Sequence, residues 1–157
     1  RRIIIEEEVG KMSDIGKLKD QLLYEVQKAF YDERGKGARY RLTLVGVEYI
    51  MSELGDKAYD KTVLMQWMKE KGFFEDIEYT EDEFVFKAKV KNCSLMGIRE
   101  GFNSKGMQPL SCPIGNMIMN ALEHENGFAP ELMPIDMEVG YCGLSCAKAG
   151  TSDVVGD

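Results

Sequence analysis

The sequence predicts a single domain of the α+β class over residues 1–157, with N-terminal helices packed on an antiparallel sheet and a C-terminal helix that begins at a cysteine. Two observations support this class. Residues 1–72 place apolar side chains mainly at helical spacing, whereas residues 73–157 begin with an alternating, strand-like pattern and continue with a helix and a terminal strand. The 157 residues, 44% of them hydrophobic, are enough for one buried core.

Three helices are predicted in the first part of the chain. The first follows Ser13, a suitable N-cap residue, and ends before Gly35, with apolar side chains at steps of three and four. The second covers residues 42–54 and contains Gly46. The third covers residues 60–71 and ends at a glycine, which is typical of a helix C-terminus.

The second part of the chain changes to a period of two. Residues 73–79 and 84–90 predict a hairpin with one buried face, joined by a polar turn. Residues 97–111 hold three glycines and few periodic apolar residues, which favours a loop that covers a site. Pro113 suits the first turn of a helix that Cys112 opens. A final strand is expected from about Met133, with one face formed by Ile135, Met137, Val139 and Tyr141.

Charge and composition exclude several classes of function. The net charge is −7 and the isoelectric point about 4.9, with no basic cluster, so direct nucleic-acid binding is not expected. No apolar run is long enough to span a membrane. There is no secretory signal, so a cytoplasmic protein with reduced thiols is expected; the first residue is Arg, which leaves open where the natural N-terminus lies.

All four cysteines follow residue 92: Cys93, Cys112, Cys142 and Cys146. Thiols are the soft ligands of this chain, so their clustering suggests a shared metal such as zinc, which takes thiolates at about 2.3 Å. An extended strand through 142–146 would separate its two cysteines by about 13 Å, so a shared ion requires the chain to reverse at Gly143. Buried unligated thiols and disulfides are the alternatives.

Three segments carry a resemblance to a known family: VKNCSLMG at 90–97, CPIGNMIMNALE at 112–123 and EVGYCGLSC at 138–146. They resemble the vinyl-4-reductase-like small-molecule-binding domain, which is related in fold to core subunits of the TRAPP trafficking complex. The resemblance covers roughly the second half of the chain. It implies a binding module or sensor for a small apolar molecule or an acyl chain, held in a cavity between helices and sheet.

Related sensor domains of phenol-responsive transcription activators hold a structural zinc through cysteines and a glutamate. Carried over to this chain, the resemblance implies a zinc ion bound by Cys112, Cys142 and Cys146, with Cys93 or Glu138 as the fourth ligand. The spacing departs from the family pattern, because the last two cysteines are only four residues apart.

We expect the ligand cavity between the Cys112 helix and the sheet, open to solvent near residues 97–111. The residues predicted to line it are Phe84, Phe86, Ile114, Met117, Ile118, Ala121, Met137 and Tyr141. A pocket of this kind is mostly apolar with few polar anchors. Replacing Ala121 by Phe is therefore expected to block ligand uptake and to leave folding largely intact.

Two rival functions belong to other classes. A thiol enzyme or reductase would use Cys112, whose thiolate a helix N-terminus favours. An assembly subunit similar to trafficking proteins would expose a large apolar patch. The only histidine, His124, lies twelve residues along the same helix from Cys112, about 18 Å away, so the two cannot form a catalytic pair. A homodimer is predicted, since symmetric pairing is the commonest way to cover an exposed edge or helix face.

Overall fold

The computed structural model describes residues 14–35, 42–138 and 140–148, with backbone only at 137 and 138. Within these residues the chain forms five α-helices, five strands and one 3₁₀ helix, which confirms the α+β class. The helices are α1 (Asp14–Arg34), α2 (Val47–Leu54), α3 (Lys61–Glu70), α4 (Met96–Asn103) and α5 (Pro113–Asn126), and the 3₁₀ helix is Gly55–Tyr59. The strands are β1 (Asp76–Glu81), β2 (Val85–Lys91), β3 (Glu131–Leu132), β4 (Asp136–Glu138) and β5 (Tyr141–Ala147).

The strands form one antiparallel sheet in the order β1-β2-β5-β3, and β4 pairs with β5 on the same side as β3. The predicted hairpin is present as β1 and β2. Its turn is held by Asp82, whose Oδ1 accepts hydrogen bonds from the N–H groups of Phe84 (2.7 Å) and Val85 (2.8 Å). At the centre of the sheet, β2 and β5 pair so that Phe86 lies opposite Cys146 and Val90 lies opposite Cys142.

The main core lies between one face of this sheet and the helices α2, α3 and α5. Alternate residues of β2 and β5 point into it, and α5 crosses behind them. Helix α5 is buried on more than one face, from Ile114 to Leu122, because it packs between the sheet and the other two helices. The central position of α5 explains why its sequence is so apolar.

A second core joins α1 to α4. It contains Tyr24, Ile98 and Phe102, and the rings of Tyr24 and Phe102 meet edge to face with centroids 5.0 Å apart. The helices approach closely because two glycines of α4 face α1: a Cβ on Gly101 would lie 2.8 Å from Tyr24 Cδ2, and one on Gly97 would lie 2.6 Å from an oxygen of Asp20. Helix α1 therefore packs mainly on α4, whereas the sequence predicted that it would pack on the sheet.

Two other predictions of local structure are wrong. The second helix begins at Val47 rather than at 42. Gly46 has a φ of +94°, which is not a helical angle, so the helix does not extend back through this residue. The segment 97–111 is not a continuous loop, since its first residues belong to α4. Its glycines at 97 and 101 permit helix packing rather than movement of a lid.

The predicted path of the terminal strand is also wrong. The chain turns at Gly140, whose φ is +75°, so Tyr141 begins β5 and lies opposite Glu138 in a tight hairpin. Val139 lies outside the described residues. Among the described helices, none combines the length and the apolar character that crossing a membrane requires.

Candidate apolar ligand site

Most of the residues predicted to line a cavity are part of the main core. Those with at most 4% of their surface exposed are Phe86, Ile114, Met117, Ile118 and Ala121. Phe84 is 61% exposed and precedes β2, and Tyr141 lies at the start of β5, only partly buried. Nothing is described for the side chain of Met137. The predicted residues of α5 therefore fill the space between that helix and the sheet by packing together, and the apolar space described next lies elsewhere.

An apolar groove of about 480 Å³ lies between the two cores. Its walls come from α1, from the turn before α2 and from the start of α5. The main apolar contributors are Leu23, Val26, Phe30, Leu42, Val45 and Pro113. This volume is within the usual range for a small-molecule site, and the lining is mostly hydrophobic, as such sites require.

A smaller inner cavity of about 40 Å³ adjoins the groove. The two spaces share five lining residues: Gln27, Leu95, Ile98, Ser111 and Pro113. The inner cavity adds the three cysteines Cys93, Cys112 and Cys142, together with Arg99. Its volume exceeds the roughly 10–15 Å³ that a cavity needs to hold one water molecule, so it has room for a small group.

Three different elements bring these thiols to one place. Cys93 follows β2, Cys112 is the N-cap of α5, and Cys142 lies on β5. The backbone N–H of Gly115 donates to the sulfur of Cys112 over 3.4 Å, so this thiol takes the place of the usual capping oxygen. Arg99 reaches from α4 to the sheet and donates to the carbonyl oxygen of Tyr141 over 3.2 Å.

Burial keeps these thiols protonated. It raises the pKa of Cys112 to about 12, and the hydrogen bond from Gly115 offsets only part of that effect. Burial also raises the pKa of Cys93 and of Cys142, although Arg99 acts on Cys142 in the opposite direction. A protonated thiol is a weak nucleophile, so the helix N-terminus does not give Cys112 the activation that a thiol enzyme needs.

The structure separates Cys146 from the other three cysteines. Cys142 and Cys146 lie four residues apart on one extended strand, a distance of about 13 Å. The chain does not reverse at Gly143, which pairs with Lys89 and with Asp136 in the sheet. The side chain of Glu138 lies outside the part of the chain that the structure describes. Within the described residues, no three histidine, cysteine, aspartate or glutamate side chains are arranged to hold a metal ion.

Sequence reasoning missed two polar residues of the site, Gln27 and Arg99. Gln27 faces the groove from α1, and its Nε2 donates to the carbonyl oxygen of Ser111 over 3.5 Å. Its Oε1 is buried and has no hydrogen-bond partner among the described residues. The available signal was a glutamine next to the apolar stripe of a predicted helix, which is too common to identify a site.

His124 stacks on Tyr59 at the exposed end of α5 and takes no part in the site.

Comparisons with protein-family models, with curated proteins and with solved structures gave no match to this chain. The resemblance to the vinyl-4-reductase-like domain therefore stays a prediction from the sequence.

Proposed function

We propose that the protein binds a small apolar molecule or an acyl chain in the apolar groove, as a sensor or carrier. The observation that supports this most is the continuity of the groove with the inner cavity, through five shared lining residues. Together they form an apolar space that is wide between α1 and α5 and narrow beside the thiols. Such a space suits a ligand with a long body, which enters from solvent and ends against the thiols.

Burial of the apolar body supplies the binding energy. Each methylene moved from water into an apolar site contributes about 0.8 kcal/mol, so an eight-carbon chain gains about 6 kcal/mol before the cost of association, which is about 4 kcal/mol or more. Binding in the millimolar range or weaker is then expected for a chain of this length, and longer chains should bind more tightly. No group with an activated pKa is required, since binding of this kind depends on shape and burial alone.

The test is the binding of N-phenyl-1-naphthylamine, a neutral probe that fluoresces in apolar surroundings. Ala29 is an exposed residue of α1 at the wall of the groove, so Ala29→Phe should fill the groove at little cost to folding. We expect affinity for the probe to fall at least tenfold. Gln21→Phe, at an exposed position of the same helix outside the groove, is the matched control and should bind normally. Absence of binding by the wild type, or equal binding by both variants, would contradict the proposal.

We retain zinc as a proposed cofactor, now limited to Cys93, Cys112 and Cys142. These three thiols line one cavity, and both Cys93 and Cys142 contribute to the raised pKa of Cys112. Coordination would require them to move closer together than they are in this structure. Protein prepared without chelator should contain about one zinc per chain, and Cys112→Ser should lose it while Cys146→Ser retains it. Metal content far below one equivalent in the wild type would rule this cofactor out.

We also propose that the protein forms a homodimer through α1. An apolar stripe on this helix is exposed at Ile15 (61%), Leu18 (53%) and Leu22 (50%); Val26 (69%) continues it and also lines the groove. The opposite side of the helix, with Tyr24, packs on α4, so the stripe stays exposed among the described residues. Two-fold pairing would place the stripe of one copy on that of the other.

Light scattering at tens of micromolar should give twice the monomer mass. The double change Leu18→Glu and Leu22→Glu should give the monomer mass, and Lys17→Glu on the same helix should not. A monomeric wild type would contradict the dimer and would favour the alternative of an assembly subunit that binds a different protein.

A cytoplasmic location completes the proposal. All four cysteines are free thiols in the structure. A reducing compartment maintains buried thiols in this form. Denatured protein purified without reductant should release four titratable thiols per chain, and a count near two or zero would indicate disulfides.

A further inference from the structure

Gln27 holds the one buried, unpartnered polar atom that belongs to the proposed site. Four such atoms occur among the described residues: Asp20 Oδ2, Tyr24 Oη, Gln27 Oε1 and Asn126 Nδ2. Asp20 and Tyr24 lie in the contact between α1 and α4, and Asn126 lies at the end of α5. Of the four residues, Gln27 alone lines both the groove and the inner cavity.

Hydrogen-bond chemistry identifies which atom of the Gln27 amide is the oxygen. Its Nε2 faces the carbonyl oxygen of Ser111, and a flipped amide would place two oxygens against each other. Within the described part of the chain, the Oε1 atom is thus an acceptor that lacks a donor. A buried acceptor without a donor is unfavourable, so a ligand that supplies a donor gains affinity there.

We propose that the ligand carries a neutral hydrogen-bond donor, of which an aliphatic hydroxyl is the simplest, and that this group donates to Gln27 Oε1. The inference rests on the proposed binding function and specifies the head group of its ligand. The inner cavity has room for one small group, so the head lies at the junction of the two spaces and the apolar body lies in the groove. Oε1 presents almost no surface to either space in this structure, so the head group reaches it through a rotation of the terminal amide. The torsional minimum of the amide is broad, and the rotation gives up only the long 3.5 Å bond to Ser111.

A hydroxyl fits these surroundings better than a carboxylate. An anion would meet the acceptor oxygen of Gln27 unfavourably, because two acceptors repel each other. Among the described residues, Arg99 is the only cation that lines the inner cavity, and it already donates to the carbonyl oxygen of Tyr141. A hydroxyl can donate to Gln27 and accept a bond at the same time.

The experiment compares 1-octanol with its isomer 1-methoxyheptane, which has the same atoms but cannot donate a hydrogen bond. Each displaces N-phenyl-1-naphthylamine from the full chain. The wild type should bind octanol about fivefold more tightly than the ether, as one net hydrogen bond implies. Gln27→Leu and Gln27→Met should bind the two isomers equally. Gln21→Leu, an exposed glutamine of the same helix, should retain the wild-type preference.

Three results would overturn the inference. The first is equal affinity of the wild type for the two isomers. The second is an unchanged preference in both Gln27 variants. The third is octanoate binding more tightly than octanol, with the advantage lost in Arg99→Gln, which would assign the head group to Arg99 instead. In all three cases the probe itself still binds, so the proposed function stands; only failure of the probe to bind the wild type removes both.

Discussion

The thiols of the inner cavity show how the surroundings of a residue decide its chemistry. Cys112 occupies a helix N-terminus, a position that lowers the pKa of an exposed thiol. Here desolvation outweighs that effect, and the pKa rises to about 12. The same holds for Cys146, deep in the main core, whose pKa burial also raises to about 12. At the residue scale the site is therefore a neutral apolar wall rather than a nucleophile.

Slow alkylation follows from these pKa directions. A raised pKa leaves less thiolate at neutral pH than an ordinary thiol has, so the native protein should react with iodoacetamide much more slowly than free cysteine at pH 7. In denaturant all four cysteines should react. The measurement is mass spectrometry of the alkylated protein over time. Fast, selective labelling of Cys112 at pH 7 would instead favour the thiol enzyme.

At the scale of elements, small residues allow both α4 and α5 to pack closely against their neighbours. The glycines of α4 allow α1 to approach, and their spacing of four places both on one face. Ala121 of α5 is 1% exposed and lies among the side chains of the main core. In both helices a small side chain marks a close contact, so enlarging it should cost stability.

Ala121→Phe is now expected to destabilise the protein. The sequence alone suggested that the extra bulk would enter a cavity, but the structure shows core packing at this position. Inserting a large ring into a filled core costs about 1–3 kcal/mol or more. Urea denaturation should show the loss, whereas Glu123→Phe, at an exposed position of the same helix, should change stability little. An unchanged unfolding midpoint for Ala121→Phe would indicate empty space beside α5.

Gly101→Val should loosen α1 from α4. The added Cβ would lie 2.8 Å from the ring of Tyr24, so the helices must separate. We expect faster amide hydrogen exchange in α1 and α4 and weaker probe binding, because α1 forms one wall of the groove. Glu100→Val introduces the same residue at an exposed neighbouring position and controls for helix propensity. Exchange rates in α1 equal to those of the control would show that this contact does not hold α1 in place.

At the scale of the whole molecule, one network of charges ties distant parts of the chain together. Glu81 of β1 contacts Lys61 of α3 over 2.9 Å and Lys148, just after β5, over 2.8 Å. Lys61 also contacts Glu125 of α5 over 2.5 Å. The side chain of Glu81 is only 18% exposed, so these contacts are less screened than ordinary surface pairs.

The network predicts a loss of stability in acid. Burial alone would raise the pKa of Glu81, but the hydrogen bonds from Lys148 and Lys61 outweigh it and lower the pKa below the usual value. Because the pKa of Glu81 is lower in the folded than in the unfolded protein, its ionised carboxylate stabilises the fold at pH values above the unfolded-state pKa. That stability is lost as the pH falls through the folded pKa. Glu81→Gln should therefore unfold more easily than the wild type at pH 7, by about 1–3 kcal/mol, since two partly buried lysines each lose one charged partner.

The difference between Glu81→Gln and the wild type should shrink as the pH falls through the folded pKa of Glu81. Urea titrations from pH 7 to pH 3 measure it. Glu78→Gln, on an exposed position of the same strand, should show no such convergence. A constant difference across this range would mean that the charge of Glu81 is not what stabilises the fold.

The sequence determined the elements whose signals are local. Helices α1, α3 and α5 and the β1-β2 hairpin follow from apolar periodicity, the glycine after α3, Pro113 and the polar turn, and all lie close to their predicted positions. The sequence also showed that all four cysteines follow residue 92, and three of them line one cavity in the structure. Periodicity and capping act within a few residues, so they can be read without the fold.

Only the tertiary structure decided where the chain reverses and which residues meet. The turn at Gly140 makes β5 a straight strand, and this separates Cys142 from Cys146. The packing of α4 on α1 places the groove at the start of α5, whereas the predicted cavity between α5 and the sheet is filled by core side chains. A glycine in a sequence permits a turn, a helix contact or a mobile loop equally well. The choice among them depends on the free energy of burying surface between segments that are distant in the chain.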